Sequence, residues 1–237
     1  MKKAILIPVF NEEKSIRRVL ESLNNYRGEF DIVVVDDGSY DRTSEILSDF
    51  DVIRIRHCVN SGYGAALQTG LRYLYDRGYD YAVLFDGDGQ HPHEYIEPLL
   101  SEAEKSGNDI VIGSRFTNDY RGAGLFKMLA LKLFSFIIYL ATRVIIRDPT
   151  SGFKCLNRRA MKYYISDVMP LSFPDADALI LAIKSGLRIR EMSVQMRERI
   201  SGRSMHYGMR AFTYMFNMLF SILICILKSD RDLRMED

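Results

Sequence analysis

The chain has 237 residues, of which 47% are hydrophobic, and this is enough for one large folded domain or at most two. Its formal net charge at pH 7 is +1, which argues against a nucleic-acid partner. The three cysteines are scattered and form neither a disulfide framework nor a metal-binding spacing, which favours a reducing compartment.

Short apolar runs alternate with helical patterns through the first half of the chain. Each run is followed by turn residues, which is typical of buried parallel strands that are joined by helices. The predicted strands are 4–9, 30–35, 52–56, 81–85 and 109–113. Right-handed crossovers between such strands produce a mostly parallel sheet flanked by helices, so the predicted fold class is α/β.

The segment after the fourth predicted strand carries two closely spaced carboxylates. Asp86 and Asp88 follow the strand directly, and Gln90 comes two residues later. Open α/β sheets bind ligands at this edge, and such a pair suits a hard divalent cation that carries phosphate oxygens. Asp-Gly is also an ordinary turn dipeptide, so this segment alone leaves a metal site and a plain turn equally open.

Two further strand ends carry polar clusters, at 8–13 and 36–41, and a glycine-rich loop at 60–64 leads into the third predicted helix. Parallel strands end at the same edge of a sheet, so we expect the clusters at 8–13, 36–41 and 86–90 to face one site. Each cluster alone is consistent with turn chemistry, but the three together predict a binding site.

Two apolar segments in the second half of the chain carry only basic charges in or beside them. The first, 125–146, is predicted to be an amphipathic helix with its polar positions on half of the helical wheel. The second, 211–227, has no charged residue and would span about 26 Å, slightly short of a hydrocarbon core. Both are predicted to lie at a membrane interface, and the alternative is ordinary packing on the sheet.

The remaining pattern predicts a turn at 148–153, a short strand, a helix at 158–165, a helix at 174–184 and a strand at 187–196. Asp175 and Asp177 lie in the first turn of the helix at 174–184. Two interpretations of these carboxylates stay open. They are either favourable charge at a helix N-terminus or a general base for a hydroxyl acceptor.

Five ordered motifs make the chain resemble family 2 glycosyltransferases of the GT-A fold. They are Ile7-Pro8-Val9-Phe10-Asn11-Glu12, Val34-Val35-Asp36-Asp37-Gly38-Ser39, Asn60-Ser61-Gly62-Tyr63-Gly64-Ala65, Asp86-Gly87-Asp88-Gly89-Gln90-His91-Pro92 and Ile112-Gly113-Ser114-Arg115. The chain is most similar to the dolichyl- or polyprenyl-phosphate mannosyl- and glucosyltransferases, whose Asp-Pro-x-Ser-Gly-Phe turn is matched at 148–153. Two departures are Gly87, where the family has alanine, and Met205, where its basic loop has lysine.

The resemblance implies roles for individual residues. The residues expected to bind the nucleotide-sugar donor are Pro8, Phe10, Glu12, Val35, Asp37, Gly64, Asp86, Gln90 and Arg115. Asp86 and Asp88 are expected to hold Mg²⁺ or Mn²⁺ on the diphosphate, and Asp88 and Arg115 to act in catalysis. The resemblance also implies direct displacement with inversion at the anomeric carbon.

Arginines in the loops before the two apolar segments are candidates for binding an acceptor phosphate, since arginine grips phosphate bidentately. They are Arg121, Arg199 and Arg203. These features and the resemblance predict a metal-dependent glycosyltransferase that moves a sugar from a UDP- or GDP-sugar to a polyprenyl phosphate, and the resemblance implies that it inverts. Because the segment before the first predicted strand is too short for a signal peptide, we expect the protein at the cytoplasmic face of the membrane.

Three other functions stay open at this point. The acceptor could be a saccharide hydroxyl, for which Asp175 or Asp177 would act as the catalytic base. A sugar nucleotidyltransferase is disfavoured because the first strand is not followed by a Gly-x-Gly-x-Arg loop. A module that only binds a nucleotide sugar or a membrane is disfavoured because both carboxylates and Arg115 are present.

The predicted organisation is a GT-A domain at 1–206, an apolar membrane-associated helix at 207–228 and a charged tail at 229–237. The protein partners left open are a second copy of the chain and a partner helix in the membrane.

Overall fold

The computed structural model describes residues 1–115, 125–167, 169, 175–197 and 217–225. Within these residues, strands of one sheet run in the order β3-β2-β1-β4-β6-β5-β7. The strands are β1 Lys3–Val9, β2 Asp31–Asp36, β3 Ile53–Arg56, β4 Tyr81–Leu84, β5 Ile110–Ser114, β6 Lys154–Asn157 and β7 Ile189–Ser193. β6 is antiparallel to β4 and β5, whereas the other neighbouring pairs are parallel. The predicted α/β fold with a mostly parallel sheet is therefore confirmed.

Helices cover both faces of this sheet. They are α1 Ile16–Ser22, α2 Thr43–Leu47, α3 Tyr63–Asp76, α4 Ile96–Ser106, α5 Leu125–Thr142, α6 Arg158–Tyr164 and α7 Ala176–Lys184, with 3₁₀ turns at Asn24–Tyr26 and His93–Tyr95. Along β1, Ala4 and Leu6 pack with α3, α5, α6 and α7, while Ile5 and Ile7 pack with α1, α2 and α4. Successive strand side chains point to opposite faces, so a continuous apolar run is what a strand covered on both sides requires.

Helix α5 is shorter than predicted, and some of its apolar side chains are buried whereas others are exposed. It ends at Thr142 rather than at 146, because Arg143 has a left-handed φ of 61°. Leu131, Phe134 and Ile138 are buried, at the i, i+3, i+7 spacing of a core-facing stripe. The prediction of an interface helix alone was therefore incomplete, since part of α5 covers the sheet. Large apolar side chains are nevertheless exposed on it: Leu129, Leu133, Phe136 and Leu140.

Residues 217–225 are helical and also combine a buried and an exposed side. Met218 and Ile222 are buried in the same core cluster as Phe134 of α5. The exposed apolar side chains here are Phe220, Leu223 and Ile224. The rest of the predicted segment 211–227 lies outside the described residues, as does the predicted domain boundary at 206.

None of the helices in the described part of the chain combines the length and the hydropathy needed to cross a membrane.

Candidate active site

The polar segments after β1, β2 and β4 meet at one edge of the sheet. Val9, at the end of β1, is paired with Asp36 at the end of β2, and Leu6 is paired with Leu84 at the end of β4. The loops that follow these three strands therefore begin side by side. This confirms that the clusters predicted at 8–13, 36–41 and 86–90 lie at one edge of the sheet.

The loops after β1 and β2 are joined by hydrogen bonds. The amide of Asn11 donates to Ser39 Oγ at 3.0 Å, and the amide of Tyr40 donates to Asn11 Oδ1 at 3.0 Å. Glu12 N donates to Thr43 Oγ1 at 2.8 Å. These bonds hold Phe10 edge-to-face against Tyr40, with ring centroids 5.7 Å apart, and both rings are exposed. The pair forms an apolar surface beside the end of β2.

Asp37 ties the end of β2 to the glycine-rich loop. Its carboxylate is 3% exposed and accepts hydrogen bonds from Ser61 N at 2.8 Å and Gly62 N at 2.8 Å. His57 Nδ1 lies 2.7 Å from Asp37 Oδ1. Gly38 has a φ of 73°, and a Cβ there would lie 2.7 Å from the carbonyl carbon of Val59. The residue after Asp37 must therefore be glycine for the two loops to approach this closely.

The glycine-rich loop also reaches the carboxylate pair after β4. Gly62 precedes α3 with a φ of 96°, and Gly64 is buried in the first turn of that helix. Between them, Tyr63 directs its hydroxyl to Asp86 Oδ1 at 3.2 Å. Burial, reinforced by the Asp86 charge, raises the pKa of Tyr63 well above its usual value, so the phenol stays protonated and can donate to Asp86.

Asp86 is also held by His91. The amide of Asp86 donates to His91 Nδ1 at 2.9 Å, and His91 Nε2 lies 3.3 Å from Asp86 Oδ2. The imidazole is stacked on Phe153 and lies edge-on to Phe85. Burial lowers the pKa of His91 to about 4, so the ring is neutral at neutral pH. Because Nδ1 accepts, the ring proton is on Nε2 and faces the carboxylate.

The second carboxylate, Asp88, is almost fully buried and accepts from Gln90 N at 2.9 Å. Among the described residues, no three His, Cys, Asp or Glu side chains are grouped to hold a metal ion by themselves. A pair of carboxylates fits Mg²⁺ or Mn²⁺, which take their remaining ligands from water and from substrate phosphates. Gly152 adds space, since a Cβ there would lie 3.2 Å from Asp86 Oδ2.

Gly87, which stands between the two carboxylates, packs against β1. A Cβ at this position would lie 2.7 Å from Cγ1 of Val9, whose branched side chain has little rotamer freedom. The departure from the family alanine therefore has a packing reason in this chain, namely the valine at position 9.

Arg115, at the end of β5, is bound to a buried carboxylate. Its Nε and Nη2 donate to Asp148 Oδ2 and Oδ1 at 2.8 and 2.7 Å, and its amide donates to the same carboxylate at 2.9 Å. Nη2 also donates to Thr150 Oγ1 at 3.1 Å. The Arg115 side chain is 16% exposed and that of Asp148 is 0% exposed. Arg115 thus fixes the 148–153 turn, whose Gly152 lies so close to Asp86 that a Cβ there would be 3.2 Å from Asp86 Oδ2.

Residues 4–165, which include all of these loops, match the family model described as glycosyl transferase family 2. The chain belongs to this family. It is 31% identical over 211 residues to the UDP-N-acetylglucosamine–dolichyl-phosphate N-acetylglucosaminyltransferase of Methanococcus voltae, with 81% of this chain and 84% of that protein covered. It is 30% identical over 225 residues to the dolichol-phosphate mannosyltransferase of Pyrococcus furiosus, with 91% of this chain and 62% of that protein covered.

The fold of this family 2 glycosyltransferase is also found among solved structures. Glucosyl-3-phosphoglycerate synthase from Mycobacterium tuberculosis, in complex with Mn²⁺, UDP-glucose and phosphoglyceric acid, superposes with a TM-score of 0.72 at 18% identity. The match covers 95% of this chain and 79% of that one. At this identity the likeness concerns the fold alone, and the predicted GT-A fold is confirmed.

The family 2 domain keeps the two carboxylates of α7 in different surroundings. Asp177 is buried and accepts from Ala178 N at 2.8 Å and from Ser221 Oγ in the helical segment 217–225. This geometry favours an anchoring role for Asp177 over the predicted role of a general base. Asp175 precedes α7, and its charge helps to raise the pKa of Tyr63. Its role as a base stays a prediction.

Asp177→Asn is expected to raise the melting temperature at pH 7. Burial raises the pKa of Asp177, so folding favours the protonated carboxyl and stability falls as pH rises through the folded pKa. Asparagine can keep both contacts without the buried charge, because its Oδ1 can accept from Ala178 N and its Nδ2 can donate to Ser221 Oγ. The gain in melting temperature over wild type should shrink as the pH is lowered. Asp177→Ala, which loses the bond to Ser221, is the control and should melt lower than wild type. Equal losses in both variants would contradict this account.

The predicted acceptor arginines, Arg121, Arg199 and Arg203, lie outside the described residues, so their role stays a prediction. Arg197, two residues before Arg199 in the sequence, does lie beside the site, since its amide donates to the carbonyl of Gln90 at 2.9 Å.

Several residues that shape this site were not predicted from the sequence, namely His57, Tyr63, His91, Asp148 and Gly152. All except His57 lie within the motifs that carry the family resemblance, so the sequence signalled their positions but not their contacts. His57 directly follows β3 and had no signal of its own.

Proposed function

We propose that the protein transfers a sugar from a nucleotide-diphosphate sugar to a polyprenyl phosphate at the cytoplasmic surface of a membrane. The observation that carries the proposal is the meeting of three loops at one sheet edge, with Asp37 on one side and Asp86 and Asp88 on the other. The names of two relatives refer to dolichyl or dolichol phosphate, which supports the lipid acceptor.

The donor fits across this edge in one direction. The exposed rings of Phe10 and Tyr40 offer an apolar surface for the nucleoside, and Asp37 offers an acceptor oxygen for its base. The carboxylates of Asp86 and Asp88 lie on the side where the diphosphate would follow. Pro8, Glu12 and Val35 belong to the same two strand ends and complete the proposed donor side.

The proposed cofactor is Mg²⁺ or Mn²⁺, held by Asp86 and Asp88 with Gln90 nearby. When bound there, such a cation supplies positive charge that makes a nucleoside diphosphate a better leaving group. The protein's own residues orient the site for it, because Tyr63 and His91 hold Asp86 from two directions. A solved structure with the same fold contains Mn²⁺ together with UDP-glucose, which supports this assignment.

The acceptor chemistry follows from its charge. A lipid phosphate is already an anionic nucleophile, so it needs little help from a general base. This agrees with the anchoring of Asp177 by Ser221, which takes one candidate base away from the chemistry. A single displacement by the phosphate oxygen inverts the anomeric carbon, so an α-linked donor would give a β-linked product.

Membrane association is proposed from the exposed apolar side chains of α5 and the helical segment 217–225. Leu133, Phe136 and Leu140 of α5 stay exposed although the same helix buries another stripe in the core. Phe220 and Leu223 do the same in the second segment. Apolar faces of this kind bind a bilayer interface, and nearby basic residues add attraction to anionic lipid.

The test uses vesicles that contain polyprenyl phosphate and a mixed pool of UDP- and GDP-sugars, with mass spectrometry of the lipid product. We expect one sugar on the lipid phosphate, in the β configuration for an α-linked donor. In flotation assays the Phe136→Gln/Leu140→Gln variant should bind vesicles at least about a hundredfold less tightly, since each buried side chain contributes about 1.5–3 kcal/mol and about 1.4 kcal/mol is tenfold in affinity. Glu21→Gln, exposed on α1, is the matched control and should float like wild type.

Two results would contradict the proposal. One is transfer to a water-soluble saccharide with no product on the lipid phosphate, and the other is wild-type protein that does not float with vesicles.

A further inference from the structure

The carboxylate of Asp37 has most of its hydrogen-bonding capacity occupied by the protein. Oδ1 accepts from Ser61 N at 2.8 Å and from His57 Nδ1 at 2.7 Å, and Oδ2 accepts from Gly62 N at 2.8 Å. An ionised carboxylate has about four lone-pair sites. The two contacts of Oδ1 use both of its lone-pair sites, whereas the single contact of Oδ2 leaves it about one acceptor site.

The contacts that occupy Oδ1 are fixed by the surrounding structure. An ionised carboxylate can only accept, so the facing Nδ1 of His57 carries the proton. The other ring nitrogen, Nε2, lies 2.9 Å from the hydroxyl of Thr69 on α3, which fixes the ring plane. Gly38 allows the loop that carries Val59 to approach, and Ser61 lies two residues beyond it. Both hydrogen bonds to Oδ1 therefore come from residues whose positions are fixed by the protein and do not depend on a ligand.

Nucleotide bases differ in the hydrogen-bond donors that they would present to this carboxylate. Uracil presents one ring N–H between two carbonyl groups, so one free acceptor site on Oδ2 satisfies it. Guanine presents a ring N–H and an exocyclic amino group side by side, which match both oxygens of a carboxylate at once. With Oδ1 filled, one of these guanine donors would be buried without a partner, which weakens binding.

We propose that the site selects uridine diphosphate sugars over guanosine diphosphate sugars, and that His57 determines this selectivity by occupying Oδ1 of Asp37. The inference rests on the proposed function, in which Asp37 faces the base of the donor. His57 is a positioning residue, because it acts on the base through the Asp37 carboxylate and not by its own contact.

Calorimetric titration of the full chain with UDP and with GDP, in the presence of Mn²⁺, tests the proposal. Wild type should bind UDP at least about tenfold more tightly than GDP, as expected for one unpaired donor. His57→Ala frees an acceptor site on Oδ1, so the ratio of the two affinities should fall toward one. His57→Asn places an amide N–H near the position of Nδ1 and should restore the ratio. A general loss of structure would weaken both nucleotides and would not change their ratio in this pattern.

The outcomes separate the two levels of inference. Binding of neither nucleotide by folded wild-type protein would overturn the proposed donor class itself. Binding of GDP as tightly as UDP would overturn the selectivity while the glycosyltransferase proposal stands. A His57→Ala variant that keeps the wild-type ratio would remove His57 from the role given to it here.

Discussion

Replacement of Asp88 by asparagine is expected to lower the rate of sugar transfer by on the order of 10³-fold, because a bound cation supplies several kcal/mol at such a site and each 1.36 kcal/mol is tenfold in rate. Asp88 is buried beside the end of β4, where an amide cannot replace the negative charge. The fold should survive, since the asparagine oxygen can still accept from Gln90 N.

The rate is measured with the vesicle assay in saturating Mn²⁺, and folding is checked by circular dichroism and thermal melting. Asp76→Asn is the matched control, because Asp76 is exposed at the end of α3 and carries the same change of charge. The control should keep wild-type transfer. Full transfer by Asp88→Asn, or by wild type in excess chelator, would remove the carboxylate pair from the chemistry.

The first half of the fold was predictable because its signals are local. Continuous apolar runs mark strands that are buried on both faces. β1 begins one residue earlier than predicted, and β2 is shifted by one residue at both ends. The convergence of the three loops followed from parallel pairing, which places strand ends at one edge. Asp37, Asp86 and Asp88 could therefore be placed together before their contacts were known.

The second half depends on contacts between distant residues, which the sequence pattern does not encode. β6 enters the sheet between β4 and β5 and runs antiparallel to both, although it lies some 40 residues beyond β5 in the chain. The same arrangement brings Asp148 to Arg115. Likewise, the bond from Ser221 to Asp177 joins residues 44 positions apart. It favours an anchoring role for Asp177, for which the sequence left a general base and helix N-terminal charge open.

His57 shows why residue roles at the site could not be completed from motifs. Through the family resemblance, the motif at 34–39 predicted that Asp37 binds the donor. The hydrogen-bonding capacity left on the Asp37 carboxylate, however, depends on a histidine 20 positions away. Nothing about a histidine after a short strand distinguishes a partner of Asp37 from an ordinary surface residue. The geometry supplies that distinction, and with it the proposed preference for uracil.

Removal of the Asp148 carboxylate is expected to destabilise the protein by about 3–5 kcal/mol, the usual cost of leaving one partner of a buried ion pair uncompensated. Asp148 is fully buried and accepts three hydrogen bonds from Arg115. For a domain of this size, each kcal/mol lowers the melting temperature by about 2–4 °C. Asp148→Ala should therefore melt at least about 6 °C below wild type.

The control for this change is Glu45→Ala. Glu45 pairs with Arg42 on α2, but both side chains are at least 70% exposed, so the pair should contribute little to stability. Arg115→Met tests the partner, and the double variant Arg115→Met/Asp148→Ala should recover part of the stability lost by Asp148→Ala, since no buried charge is left unpaired.

Arg115→Lys separates the stabilising role of Arg115 from its predicted contact with the donor. Lysine keeps the charge but cannot form the paired contacts of Nε and Nη2 with one carboxylate. If Arg115 mainly holds the 148–153 turn against Asp86, Arg115→Lys should lose transfer activity in parallel with melting temperature. If Arg115 contacts the donor directly, the affinity for the nucleotide sugar should fall more than the melting temperature does.

A melting temperature of Asp148→Ala equal to that of wild type would show that the ion pair of Arg115 with Asp148 does not hold the turn.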